Sequence, residues 1–151
     1  MTVIAFDGKT LAADKRMCQG GGIARTVTKI VRTRSSGELL AITGGLDVGR
    51  ELEAWYLMGA KVVDFPANAK DDTAMLIVIK PNGEIWTWAA GPYPTRIESE
   101  KAAFGSGRDF AEAAMYLGES AVDAVAVACV FQSDCGNGID VLELNGQATR
   151  P

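Results

Sequence analysis

MTVIAFDGKTLAADKR, residues 1–16, is the stretch whose reading decides the fold. Val3 to Phe6 is a β-forming run, and Lys9 to Ala13 forms its return after Asp7-Gly8. Asp-Gly between two such runs reads as a tight hairpin turn, because these residues tolerate the positive φ that a twisted hairpin requires. The hairpin ends in the charged Asp14-Lys15-Arg16 and begins almost at residue 1, with Thr2 directly behind Met1. Asp7 and Lys9 interrupt the apolar run and no basic segment precedes it, so it does not read as a signal peptide.

The same alternation of runs and breakers continues down the chain. GGGIAR (20–25) reads as a glycine loop, Val27 to Thr33 as a strand, Ser35-Ser36-Gly37 as a turn and Glu38 to Thr43 as the return strand. Gly44-Gly45 breaks the chain. Val48, Leu52, Trp55 and Tyr56 or Met58 then recur at helical spacing, which predicts a helix from about Asp47 to Ala60. Residues 61–72 are irregular about Pro66. Ala74 to Ile79 and Ile85 to Ala89 form a second hairpin about Pro81-Asn82-Gly83. A loop with Gly91, Pro92 and Pro94 leads to Ala102-Ala103-Phe104 and Gly105-Ser106-Gly107. A helix follows from Arg108 to Leu117; Ser120 caps another from Ala121 to Val130; Gly138 to Leu144 is a last strand. This order is α+β around two antiparallel sheet layers. Leu39–Thr43 and Ala74–Ile79 are apolar throughout, which suits a sheet covered on both faces.

Composition narrows the chemistry. A chain of 151 residues, 48% hydrophobic and 23% charged, reads as one globular domain spanning 1–151. A net charge of −4 argues against nucleic acid or an anionic membrane as the main partner, and no apolar run is long enough to span a bilayer. The cytoplasm is the default location. Cys18, Cys129 and Cys135 show no metal-ligand spacing, and their odd number fits a reduced compartment. Cys129 lies in AVAVACVF and reads as core packing. Histidine is absent, which removes Ser-His-Asp and Cys-His catalysis and the usual His-containing zinc sites. A proton acceptor near neutrality must then be a shifted lysine or carboxylate, a thiol, or an α-amine, which titrates unaided at about 7.7–8.0.

Five segments, in order, carry a family resemblance: TVIAF…LAADKR, RTVTKIVR, LAITGGLDVGRELEAW, AAFGSGRDFAEAAMYLG and GNGIDVLEL. Together they resemble the proteasome β-type subunits and their bacterial, HslV-like relatives among the N-terminal-nucleophile (Ntn) hydrolases. The matching parts are the opening hairpin that ends in a catalytic aspartate, the strand of the catalytic lysine, the oxyanion loop, the Gly-Ser-Gly before the third helix, and a late strand. The step from Lys29 to Ala41 is the twelve residues that the family keeps. The family has two helices between its oxyanion loop and the next hairpin. Here 61–72 is too short for a full second one, so the resemblance is to a small prokaryotic or phage member.

The resemblance implies a four-layer αββα sandwich and a threonine-type peptidase that works through an acyl-enzyme without metal or organic cofactor. Thr2 would be the nucleophile and its own α-amine the base. A simple alignment of TVI instead places Met1 at that position. Asp14 would orient and ionise Lys29, which lies between Val27 and Val31 on one strand face and would activate the Thr2 hydroxyl. Ser106 would contact the terminal amine, and Ala41 would supply the oxyanion N–H. For the family's late Asp…Ser pair, register points to Gln132 and Cys135, while a one-residue slip lets Asp134 serve. Met17, Val27, Val31 and Leu39 would border an apolar specificity pocket. A ring-like homo-oligomer acting on peptides or unfolded protein, with an ATP-dependent unfoldase as partner, completes what the resemblance implies. Two alternatives stand beside it: a catalytically silent scaffold of the same fold, favoured if Met1 is retained, and a monomeric Ntn amidase for a small molecule.

Overall fold

In the computed structural model, which describes residues 1–18 and 24–146, the opening hairpin is β1 (Ile4–Phe6) and β2 (Thr10–Asp14), paired Ile4 to Ala13. Short β3 (Arg16–Met17) pairs with β4 (Arg25–Thr26). Residues 20–23 of the expected glycine loop lie outside the described residues. β5 is Ile30–Arg32 and β6 is Leu39–Gly44. The expected strand from Val27 to Thr33 is thus shorter, because its first residues follow the β3–β4 pair before the chain enters the second sheet.

Helix α1 (Leu46–Leu57) ends three residues earlier than its periodicity predicts, where Gly59 and Ala60 take positive φ of 109° and 53°. Residues 61–72 hold two 3-10 turns, Val62–Asp64 and Ala67–Asp71, in place of a second α-helix. The hairpin of β7 (Ala74–Ile79) and β8 (Ile85–Trp88) follows as expected. β9 (Thr95–Ile97) was not legible: it is an exposed edge strand of Thr-Arg-Ile directly after Pro94. β10 (Ala102–Phe104), α2 (Arg108–Tyr116), α3 (Ala121–Phe131) and β11 (Ile139–Glu143) complete the order. Ser120 caps α3 as read, accepting from the Asp123 N–H.

Besides the two-stranded β3–β4 pair, two larger sheets form, ordered β10-β1-β2-β11 and β5-β6-β7-β8-β9. Strand alternation sorts their side chains into three cores. Ile4, Phe6, Leu11 and Ala13 meet Ile30, Leu39, Ile77 and Ile85 between the sheets. Val3, Ala5 and Ala12 face the other way, onto Ala111, Ala124, Val125 and Ala128 of α2 and α3. Leu40, Leu76 and Val78 pack on Leu52 and Trp55 of α1. The layers are therefore α2/α3, sheet, sheet, α1, the αββα sandwich expected. Both strands of the opening hairpin lie inside it, which holds Thr2 at the end of a strand buried on two faces.

Candidate active site

Asp14 ends β2 with its carboxylate fully buried, and Lys29, 2% exposed, reaches it at 2.8 Å. A buried charge requires such a partner and further hydrogen bonds. Asp14 has both: Oδ1 also accepts the Val3 N–H at 3.0 Å, and Oδ2 accepts those of Arg16 at 3.1 Å and Gly136 at 3.0 Å. One carboxylate thereby ties the first strand, β3 and the late loop to the lysine.

Thr2 lies against this pair. Its hydroxyl is 3.5 Å from Asp14 Oδ1, its nitrogen donates to Ser106 Oγ at 3.0 Å, and its carbonyl accepts the Gly107 N–H at 3.1 Å. Lys29 Nζ also donates to the Met1 carbonyl at 3.3 Å. The chain thus places the Thr2 nitrogen on Ser106 and its hydroxyl near Asp14, while the half-exposed Met1 meets Lys29 through its carbonyl. The shared strand face read for Val27, Lys29 and Val31 does not form. β5 starts only at Ile30, and Val31 packs toward α1 while Lys29 turns to Asp14.

Ala41 does not reach the site. It sits in mid-strand between Ile30 of β5 and Ile77 of β7, fully buried in the core between the sheets. Amide hydrogens alternate sides along an antiparallel strand. The Ile42 N–H donates to Lys29 O on the β5 side and the Gly45 N–H to Thr73 O on the β7 side. Ala41 therefore points to β7 and is committed to the ladder, while Gly44 points to the β5 side at the end of that strand. Gly44 lines the cavity beside Thr2, at φ +82°, where a Cβ would lie 2.2 Å from Thr73 O. Gly44 is a cavity residue that the sequence reading did not name. Its signal was the Gly-Gly pair closing β6, which the sequence reading took as a breaker within the oxyanion-loop segment while naming Ala41 for the N–H.

The late residues also sort differently. The Asp134 carboxylate accepts from the Gln132 side chain at 3.2 Å and meets none of Thr2, Lys29 or Ser106 in a hydrogen bond. Cys135, 1% exposed, comes to the site instead. Its sulfur would touch a Cβ on Gly107, the residue after Ser106, at 3.2 Å. Burial, reinforced by the Asp14 charge, pushes this thiol up to about 11, so it stays a neutral packing group.

The cavity beside Thr2 has a volume of about 610 Å³. Met17 lines it as expected, together with Cys18, Leu46 and Asp47. Val27, Val31 and Leu39 do not; Leu39 is fully buried between the sheets. The cavity is accordingly of mixed polarity rather than apolar. Among the described residues, no helix is long and apolar enough to cross a membrane.

No family model matches the chain, and no curated protein does. Solved structures do match. One is BPH of Thiobacillus denitrificans in complex with epoxomicin, at 23% identity over 97% of this chain and 100% of that one, with a TM-score of 0.66. A further structure of the same protein matches at 24% identity over 97% and 100%, with a TM-score of 0.64. Eukaryotic HslV from Trypanosoma brucei matches at 19% identity over 94% of this chain and 97% of that one, with a TM-score of 0.67. At these identities the likeness is one of fold. The layer order and these structures agree: the chain has the αββα fold of the proteasome-like Ntn hydrolases.

Proposed function

We propose that the chain is an N-terminal-threonine peptidase, active once Met1 is removed. The observation that carries this reading is the seat of Thr2, with its nitrogen on Ser106 Oγ and its hydroxyl beside the buried Asp14–Lys29 pair. Nucleophile and base then belong to one residue, which suits a chain without histidine.

With Met1 gone, the freed amine takes the hydroxyl proton as Thr2 Oγ1 attacks the carbonyl carbon of the substrate. The carbonyl oxygen becomes an oxyanion, for which the Gly44 N–H is the donor. Collapse of this intermediate breaks the C–N bond. The leaving amine takes the proton from the Thr2 ammonium, and an ester on Oγ1 remains. Water then attacks the ester with the same amine as base, the acid departs, and the threonine is restored. Lys29 contributes a fixed positive charge that favours the forming alkoxide, and its ion pair with Asp14 holds it in place. The reaction consumes water alone.

A self-compartmentalising homo-oligomer acting on peptides or unfolded protein, with an ATP-dependent unfoldase as partner, belongs to this reading. Exposed Leu57, Met58, Val62 and Val63 at one end of the sandwich, and Tyr116, Leu117, Val130 and Phe131 at the other, support it. One observation favours a second reading. The Met1 carbonyl occupies Lys29, and with Met1 retained the Thr2 nitrogen is an amide with no basic lone pair, leaving a silent scaffold. Hydrolysis of a fluorogenic peptide decides between them. Protein shown by mass to lack Met1 should turn it over, and Thr2→Ala should not. No turnover by the Met1-free protein would overturn the peptidase.

A further inference from the structure

We propose that the cavity beside Thr2 takes a lysine or arginine side chain of the substrate, with its charged head on Asp47. This rests on the peptidase reading of the same site.

The charged residues lining the cavity are Arg16, Lys29 and Asp47. Two are committed elsewhere. Lys29 is paired with Asp14 at 2.8 Å. The Arg16 guanidinium keeps its charge but is turned onto the late loop, donating to the neutral Ser133 O at 2.8 Å and Asn137 Oδ1 at 3.0 Å. Asp47 is exposed in the first turn of α1 and has no ion pair or side-chain hydrogen bond among the described residues. The nearest cation on its own helix, Arg50, is held by Glu53 at 2.9 Å and by Thr28 O at 2.7 Å. Residues 19–23, which follow cavity-lining Cys18, carry no cation in their sequence QGGGI.

The carboxylate is also placed where its charge matters. A carbon built on Gly45 would lie 3.1 Å from Asp47 Oδ1, so the carboxylate folds back against Gly45, one residue past Gly44 and its N–H. A negative charge there opposes the growth of an oxyanion on that N–H. A substrate cation on Asp47 relieves the opposition as the oxyanion forms, so the gain is larger in the transition state than on binding. The neighbouring wall is apolar: Met17 and Leu46 line the same cavity. A long aliphatic stem with a charged head matches both features, which lysine and arginine alone supply.

The test compares kcat/KM for three fluorogenic peptides that differ only in carrying arginine, leucine or glutamate before the cleaved bond, using protein freed of Met1. Arginine should exceed leucine by about fivefold, with glutamate poorest, the scale of one partly solvated ion pair. Asp47→Asn should lower the arginine rate and raise the leucine rate, and about 1 M salt should compress the wild-type preference. A leucine preference, or a ratio unchanged in Asp47→Asn, overturns the inference while leaving the peptidase standing. Binding of the uncleaved peptides to Thr2→Ala, read by fluorescence anisotropy, separates the other case. Arginine binding that depends on Asp47, in a protein that hydrolyses nothing, upholds the inference and overturns the peptidase. Equal binding of arginine and leucine peptides there overturns the inference.

Discussion

Lys29 is 2% exposed on a fully buried Asp14, so each is committed to the other. Lys29→Ala should abolish hydrolysis while the protein still folds, because Asp14 keeps three backbone N–H donors from Val3, Arg16 and Gly136. The carboxylate left without a counter-charge should cost about 3–5 kcal/mol, read by urea unfolding. Turnover at the wild-type rate would remove Lys29 from the mechanism. As the freed Thr2 amine loses its proton, kcat/KM should rise with pH between about 6 and 8. A flat profile across that range would exclude the amine as base. That Thr2, Asp14, Lys29 and Ser106 come together was legible because each stands out locally: a threonine behind methionine, a charge ending an apolar strand, a lone lysine among valines, a serine between glycines. The place of Gly44 at the cavity was not. Whether the Ala41 or the Gly44 N–H is left off the ladder depends on the parity of strand pairing and on where β5 ends, and neither is written in the residue types.

At the scale of elements, Gly49 sets propensity against packing. It lies inside α1, where alanine is intrinsically better by about 1 kcal/mol. A Cβ there would sit 2.0 Å from Ile42 Cγ2, so helix and β6 approach only because the position is glycine. Gly49→Ala should therefore lose roughly 1–3 kcal/mol, and a stabilised variant would show that α1 can move off the sheet freely. Asp7 joins the opening hairpin to α3. It accepts the Thr10 N–H at 2.8 Å, that of Lys9 at 3.0 Å and that of Ala121, the first residue of the helix, at 2.9 Å. Burial alone would raise its pKa, but these donors and the charge of Lys101 together hold it below the ordinary value. A lowered carboxylate stabilises fully above its unfolded value of about 3.9 and loses that contribution as pH falls through its folded value. Asp7→Ala should cost about 1–2 kcal/mol at pH 7, with the gap from wild type closing toward pH 2 in thermal melts. Most elements were legible because their apolar periodicity is strong. β9 was not, because an edge strand half in solvent carries no such pattern, and β5 was read too long because its flanks are equally β-forming.

For the whole molecule, the layer order was foreshadowed by two strands apolar on both faces, which only a doubly covered sheet accommodates. The sandwich leaves apolar side chains uncovered at both helical ends. Leu57 and Met58 at the end of α1 are 56% and 83% exposed, and Val130 and Phe131 at the end of α3 are 76% and 66% exposed. Side chains of this kind clustered on a surface mark association sites. Light scattering at micromolar concentration should give a mass several times the 16.0 kDa of one chain; a stable monomer would favour the small-molecule amidase. The central claim concerns Thr2, and intact-mass spectrometry of the protein from its native host tests it most directly, before and after treatment with an epoxyketone. Such a compound needs a hydroxyl and a free amine on one residue to close its ring. The account predicts loss of Met1 and a single morpholine adduct mapping to Thr2. Complete retention of Met1 with no adduct would contradict it.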